Sequence, residues 1–248
     1  MIHNLSLSSV YIELFLTEDA EKPLAIGTAF TIKPGSPDWF LITNWHCVTG
    51  RNPDTNIPLS SLADPMIMKV YFHSKNNIGE WKIKTLNLYD ENGAKRWSEH
   101  PRGSDIDVVA IKIDEFEDVD FYNLNDSING NELIVEPSDN CSIIGFPKGL
   151  SFGGKFPIWK TGHIATDYHI DWNNLPLFYI DATTRKGMSG SPVMSIKDGL
   201  CHFEGNNIMS GRFIRFMGVY SGRIDETTEI GKVWKPNVLI DIINNYYR

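Results

Sequence analysis

The sequence predicts an all-β fold, either a sandwich or a pair of barrels, closed by one C-terminal helix. Three observations carry this. The dominant hydrophobic period is two, short runs rich in β-branched and aromatic residues recur along the whole chain, and clusters of Gly, Pro, Asn and Asp separate them. The 13 Phe, 7 Trp and 9 Tyr suit sheets, and 248 residues leave room for one sizeable unit or two small domains with a buried core.

In chain order, the alternation predicts strands over 8–16, 26–33, 39–43, 67–73, 80–88 and 107–113. The acidic stretch from Asp114 to Asp120 and the Asn-rich segment after it read as a connection, so the chain divides into 1–125 and 126–248. A second set of strands follows over 132–136, 141–145, 156–166, 177–182, 191–195, 199–204 and 212–223. Near the end, Val238, Leu239, Ile242, Ile243 and Tyr246 share one helical face behind Pro236, which suits a first turn; this helix is expected to dock on a barrel.

Composition narrows the function. Hydrophobic residues at 42% and charged ones at 22% exclude a disordered tail. A formal charge of −8 argues against a sequence-independent nucleic-acid binder, whose affinity rests on neutralising phosphates. Cys47, Cys141 and Cys201 are odd in number and widely spaced, which fits neither a disulfide framework nor a C-x-x-C zinc site. Reduced thiols and a cytoplasmic location are the expectation. No basic stretch precedes the first apolar run, and none reaches the ~18 apolar residues a membrane span needs, so no membrane partner is expected.

Three segments carry chemistry. In Arg185-Lys186-Gly187-Met188-Ser189-Gly190-Ser191-Pro192, a serine between glycines on a sharp turn can expose its hydroxyl, and the N–H groups of Gly187 and Ser189 can converge on a developing oxyanion. Alone, the segment reads equally well as an ordinary Gly/Ser loop. In Phe40-Leu41-Ile42-Thr43-Asn44-Trp45-His46-Cys47-Val48, a histidine follows directly on the end of an apolar strand. In Ser104-Asp105-Ile106-Asp107-Val108-Val109-Ala110, an aspartate stands at the mouth of another. Asp105 and Asp107, two apart on a strand, would face the same way. Asp107 is preferred, because choosing Asp105 would leave an unpaired carboxylate inside the apolar run.

Together the three segments resemble the chymotrypsin-like (trypsin-fold) serine peptidase family, whose motifs run T-x-x-H-C-V, D-I/V-A/V and G-x-S-G-G/S-P in that order. Thr43-Asn44-Trp45-His46-Cys47-Val48, Asp107-Val108-Val109-Ala110-Ile111 and Gly187-Met188-Ser189-Gly190-Ser191-Pro192 match them. Gly27-Thr28-Ala29-Phe30, Ile143-Ile144-Gly145-Phe146-Pro147 and Gly218-Val219-Tyr220-Ser221-Gly222 are similar to further family strands, so the likeness covers roughly residues 8–246. The serine after the second glycine resembles the bacterial intracellular trypsin-like and glutamyl-endopeptidase-like branch.

The resemblance implies two six-stranded antiparallel β-barrels with the active site in the cleft between them. Residues 1–125 would supply His46 and Asp107, and residues 126–248 Ser189, the oxyanion hole and the specificity pocket. It implies a serine endopeptidase acting on protein or peptide substrates through an acyl-enzyme, with His46 as general base and Asp107 as its anchor. Gaps of 61 residues from His46 to Asp107 and 82 from Asp107 to Ser189 are compatible with that split.

Thr183, Thr184 and Tyr220 would line the specificity pocket, with Ser221 and Gly222 pairing to substrate backbone. With no aspartate at the pocket and a tyrosine where glutamyl relatives carry histidine, a polar, uncharged pocket is the expectation. Met188 replaces the aspartate that in secreted relatives pairs with a new N-terminal amine, so no activation by that route is expected. Cys47 lacks the family's partner cysteine in 26–33. No cofactor and no metal are expected: Asp105 with Asp107, or His163 with His169, makes no complete ligand set. The run Gly149 to Lys155 has phosphate-loop spacing, but Phe156 stands in the Ser/Thr position and a strand follows. Other readings to weigh are a protease-fold binding module or effector subunit that holds a partner in its cleft, with a regulatory protein partner, and an esterase using the same triad.

Overall fold

Residues 39–43 illustrate how the two-residue period becomes architecture. Phe40 and Ile42 point into one apolar cluster and Leu41 into another, so the apolar run of this strand is buried on both faces. The computed structural model describes residues 2–35, 37–59, 64–225 and 227–247.

The first half contains α1 (Asn4–Ser8), β1 (Ser9–Phe15), β2 (Ala25–Ile32), β3 (Trp39–Thr43), α2 (Trp45–Thr49), β4 (Ile67–Ser74), β5 (Asn77–Asn87), β6 (Ser98–Glu99), β7 (Val109–Ile113) and β8 (Val119–Asp120). These strands form one antiparallel sheet of order β5-β4-β1-β2-β3-β7-β6, with β8 pairing to β4. The second half contains β9 (Asn140–Gly145), β10 (Ile158–Ile164), β11 (Leu177–Asp181), β12 (Pro192–Phe203), β13 (Asn207–Arg223), β14 (Ile230–Trp234) and α3 (Asn237–Tyr246). Its six strands close into a barrel in the order β10-β11-β14-β13-β12-β9. The protein is therefore mostly β, two sheets with a small C-terminal helix, and the first sheet has eight strands where six were expected.

Three apolar clusters lock these parts together. One fills the first sheet around Leu14, Met68 and Ile111, and one fills the barrel around Ile143, Phe178 and Met217. The third runs between the sheets and reaches α3, joining Phe30 and Ile42 to Ile144, Phe216, Trp234 and Ile242. Each fully buried side chain of this size contributes about 1.5–3 kcal/mol, so the interface holds the two sheets in one relative position. The helix emerges from the barrel and straps the opposite sheet: Asn245 Nδ2 donates to the Glu99 carbonyl at 3.1 Å and the Tyr246 ring meets Phe40 at 5.4 Å. Val238, Leu239, Ile242 and Ile243 are its buried face; Tyr246 packs at its edge, and Pro236 occupies the position before the first turn.

Several predicted elements differ. Segment 132–136 forms only a bridge from Leu133 to Phe203; Leu133 packs with Cys201 and Phe203, and Val135 joins the barrel core. Segments 191–195 and 199–204 are one strand, because Lys197, Asp198 and Gly199 stay paired with Phe213, Arg212 and Gly211. The strand predicted over 107–113 starts at Val109, and Gly103–Asp105 is a 3-10 turn. The barrel-closing β14 was missed because its five residues show too few alternations to register.

Candidate active site

The functional side chains stand where strands end. β3 stops at Thr43, Asn44 keeps extended backbone, and α2 turns once and a half to Gly50, whose φ of 68° closes it in the left-handed conformation. This sharp exit lifts His46 out of the sheet while its neighbours Trp45, Cys47 and Val48 stay buried. Asn44 Nδ2 donates to the Asp107 carbonyl at 2.7 Å and fixes the approach of the two segments.

Asp107, 1% exposed, faces His46 with both carboxylate oxygens. Oδ1 accepts the His46 backbone N–H at 2.8 Å, and Oδ2 lies 2.7 Å from His46 Nδ1. The Ser221 hydroxyl donates to Oδ2 at 2.5 Å. A carboxylate this deep would be costly unpaired, and these three donors satisfy it. Burial is the largest single influence on His46 and works against its charged form, but the charge and hydrogen bond of Asp107, together with those of Cys47, outweigh it and hold the imidazole pKa well above its ordinary 6.5. Asp105 is elsewhere: exposed in its 3-10 turn, 3.6 Å from Arg102. The expected shared face with Asp107 fails because Asp105 is not on a strand.

The serine turn is clamped by the other sheet. Ser189 is half-buried, its carbonyl accepting the Thr28 N–H at 2.9 Å, and the Thr28 hydroxyl donates to the Gly187 carbonyl at 2.8 Å. Gly187 has φ of 94° and Gly190 of 84°, and a Cβ at these positions would fall 2.3 Å from the Phe146 carbonyl and 2.1 Å from that of Thr28. Both glycines are therefore required by conformation and by close approach. The Lys148 N–H donates to the Lys186 carbonyl at 2.6 Å. That bond turns the Lys186–Gly187 peptide so that its N–H points away from Lys148. Among the described residues, no acceptor takes the N–H of Gly187 or Ser189, and none engages the Ser189 hydroxyl.

Two irregularities in β13 aim the opposite wall. Its pairing with β12 passes from Val193–Gly218 to Met194–Phe216, leaving Met217 extra, and its pairing with β14 passes from Tyr220–Val233 to Gly222–Lys232, leaving Ser221 extra. Such bulges re-aim side chains. Here the first turns Tyr220 into the barrel and the second releases Ser221 toward Asp107. Gly218 permits the first, since a Cβ there would overlap the Trp234 carbonyl at 1.8 Å.

The predicted specificity residues do not form an open polar pocket. Thr183 is exposed, but Thr184 is 1% and Tyr220 2% exposed, and their hydroxyls are hydrogen-bonded to each other. Burial raises the Tyr220 phenol to about 12, so it stays neutral. Its ring lies against Gly231, where a Cβ would come within 2.6 Å of Cε2. Ser221 and Gly222 are half-buried, and a Cβ on Gly222 would meet nothing within 4 Å. Arg185 is drawn to Glu229 at 3.3 Å, with Arg223 at 3.8 Å from the same carboxylate.

The other histidines are outside the cleft's chemistry. His100 meets Asp241 of α3 at 3.3 Å, and His73 is enclosed by Phe156, Trp81 and Tyr122, with burial lowering it to about 4. His163, His169 and His202 are exposed. The phosphate-loop spacing is also explained otherwise: Lys155 Nζ lies 3.9 Å from the Tyr11 ring centre. Met188 is fully buried in the barrel core. Gly27 stands opposite Cys47, a Cβ there lying 3.4 Å from Sγ, and all three cysteines are buried and free.

Sequence reasoning missed Thr28, Lys148 and the role of the Ser221 hydroxyl. Only the Gly27-Thr28 pair carried a signal, as part of a family-like strand, and nothing in it pointed across the cleft.

Comparison with known proteins gives a consistent picture. The model of the trypsin-like peptidase domain matches residues 27–201. No curated protein matches the chain. Among solved structures, a protease of M. tuberculosis in its active form is similar at 17% identity and a TM-score of 0.52, over 97% of this chain and 81% of that one. The HtrA-type protease AlgW, solved with a tripeptide, is similar at 13% identity and a TM-score of 0.54, over 96% and 60%. A serine endoprotease from Yersinia pestis is similar at 13% identity and a TM-score of 0.52, over 98% and 66%.

Proposed function

Because the chain belongs to the trypsin-like peptidase family, as a trypsin-like serine protease, we propose that it cuts protein or peptide substrates through an acyl-enzyme on Ser189. In this reading His46 takes the serine proton and returns it to the leaving amine, Asp107 holds the imidazole tautomer, and the N–H groups of Gly187 and Ser189 receive the oxyanion. The observation that carries it is the buried Asp107 carboxylate, satisfied among the described residues by His46 and Ser221 and set across the cleft from a serine turn clamped between two close-packed glycines. Beyond Val219, β12 no longer pairs with β13, so Gly222 has β14 on one side only and an edge on which substrate backbone can add as a strand. The three buried free thiols support a reducing compartment.

The base must be neutral to accept a proton. A raised imidazole pKa means that His46 is protonated, and activity lost, as pH falls through a value above 6.5. The acid limb of the kcat/KM profile is expected above pH 6.5, and in Asp107→Asn it moves down, with kcat lower by about 10⁴-fold. A wild-type limb at or below 6.5 contradicts this coupling.

The contact from Tyr220 to Thr184 bridges the two walls of the specificity pocket, so the pocket takes a small, uncharged side chain. A peptide-library profile tests the function and this specificity together: the wild type cleaves after small residues, and Tyr220→Ala gains at least about tenfold toward large apolar ones. Strict cleavage after Lys or Arg, or an unchanged profile in the variant, removes Tyr220 from this role.

A further inference from the structure

A cavity of about 720 Å³ opens where the two sheets and α3 meet, and none of the catalytic candidates lines it. Its walls are apolar: Ile32 from the end of β2, Ile128 after the 3-10 turn Leu124–Ser127, Phe216 of β13, and Leu239 and Ile243 of α3. The polar lining is one-sided. Arg215, Lys235 and four asparagines, Asn125, Asn131, Asn237 and Asn244, contribute to it, and no Asp or Glu does, in a chain whose formal charge is −8.

The two cations differ. Lys235 Nζ is neutralised by Asp171 at 2.6 Å and also donates to the Ile170 carbonyl. Arg215 is only 8% exposed, donates to the Leu133 carbonyl, and stacks 4.7 Å from the Tyr168 ring centre; no carboxylate among the described residues pairs with it. A guanidinium has five N–H donors, and a buried one without counter-charge is costly. The same space receives the start of α3, which has no side-chain cap; the Val238 and Leu239 N–H groups donate to the Lys235 and Pro236 carbonyls, so what this turn presents to the cavity is the positive end of the helix dipole.

We propose that this cavity binds a monoanionic amphiphile, its carboxylate against Arg215 and the first turn of α3 and its aliphatic body against Phe216, Leu239 and Ile243. The volume falls within the range of small-molecule sites, roughly 300–1,000 Å³. Charge complementarity selects an anion, and the apolar walls select a tail over a bare inorganic ion.

Calorimetric titration with decanoate, with acetate as head alone and 1-octanol as tail alone, tests this. Decanoate is expected to saturate one site and bind at least about tenfold more tightly than either fragment. Arg215→Met weakens it about tenfold or more, and Ile243→Trp, which fills the cavity with the cation left intact, abolishes it. Amide resonances of Tyr168 and Leu239 shift in the wild type, which locates the site even if Arg215→Met does not fold. No saturable decanoate binding at millimolar concentration, equal binding of 1-octanol, or decanoate binding unchanged in Ile243→Trp overturns the proposal.

Discussion

Ser189→Ala is expected to lower kcat/KM for a cleaved peptide by on the order of 10⁴- to 10⁶-fold, and His46→Ala by a similar factor, because triad members act as a unit. The two variants are expected to separate in stability. The Ser189 hydroxyl bonds to no described group, so its removal leaves the melting temperature near that of the wild type. His46→Ala removes the imidazole from a carboxylate that is 1% exposed and leaves it with the residue 46 N–H and Ser221. An under-satisfied buried acceptor costs about 1–3 kcal/mol, so this variant unfolds at lower temperature and denaturant. Thermal melts beside steady-state kinetics check both halves. A Ser189→Ala protein that still cleaves within tenfold of wild type removes the serine from the chemistry.

Gly187→Ala is the second large effect. Its backbone φ of 94° disfavours any side chain, and the added Cβ would stand 2.3 Å from the Phe146 carbonyl. Rotating the Lys186–Gly187 peptide relieves both, and that rotation breaks the Lys148 bond to Lys186 and swings the Gly187 N–H out of the cleft. Loss of one oxyanion donor costs about 10²- to 10³-fold in kcat. The expected pattern is a fall in kcat with KM changed little, in a protein whose barrel still melts cooperatively. Activity within threefold of wild type would show that this N–H takes no part.

Local sequence carried much of this and distance did not. The unbroken apolar run Phe40-Leu41-Ile42 was enough to predict a strand, which the structure buries on both faces, and the apolar spacing of α3 located its buried side. Candidate catalytic residues were legible because their chemistry demands short fixed contexts: a strand-end histidine, an aspartate before a buried run, a glycine-flanked serine. The contacts that orient them were not. Thr28 reaches Gly187 across 159 positions, and Ser221 reaches Asp107 across 114. The bulges that turn Tyr220 inward and free Ser221 depend on strand register, which residue pattern does not encode once small and large residues mix, as in Met217-Gly218-Val219. For that reason the hydroxyls of Thr184 and Tyr220 read as a polar pocket in sequence and form a closed contact in space.

The central claim is that Ser189 is a nucleophile activated by His46. Reaction of the folded protein with a fluorophosphonate, followed by peptide mass mapping, tests it most directly. One phosphonyl adduct on Ser189 is the expected result, absent from Ser189→Ala and His46→Ala and slowing as pH falls through the His46 transition above 6.5. Folded wild-type protein that takes up no label between pH 7 and 9, or a label that persists in Ser189→Ala, would contradict it.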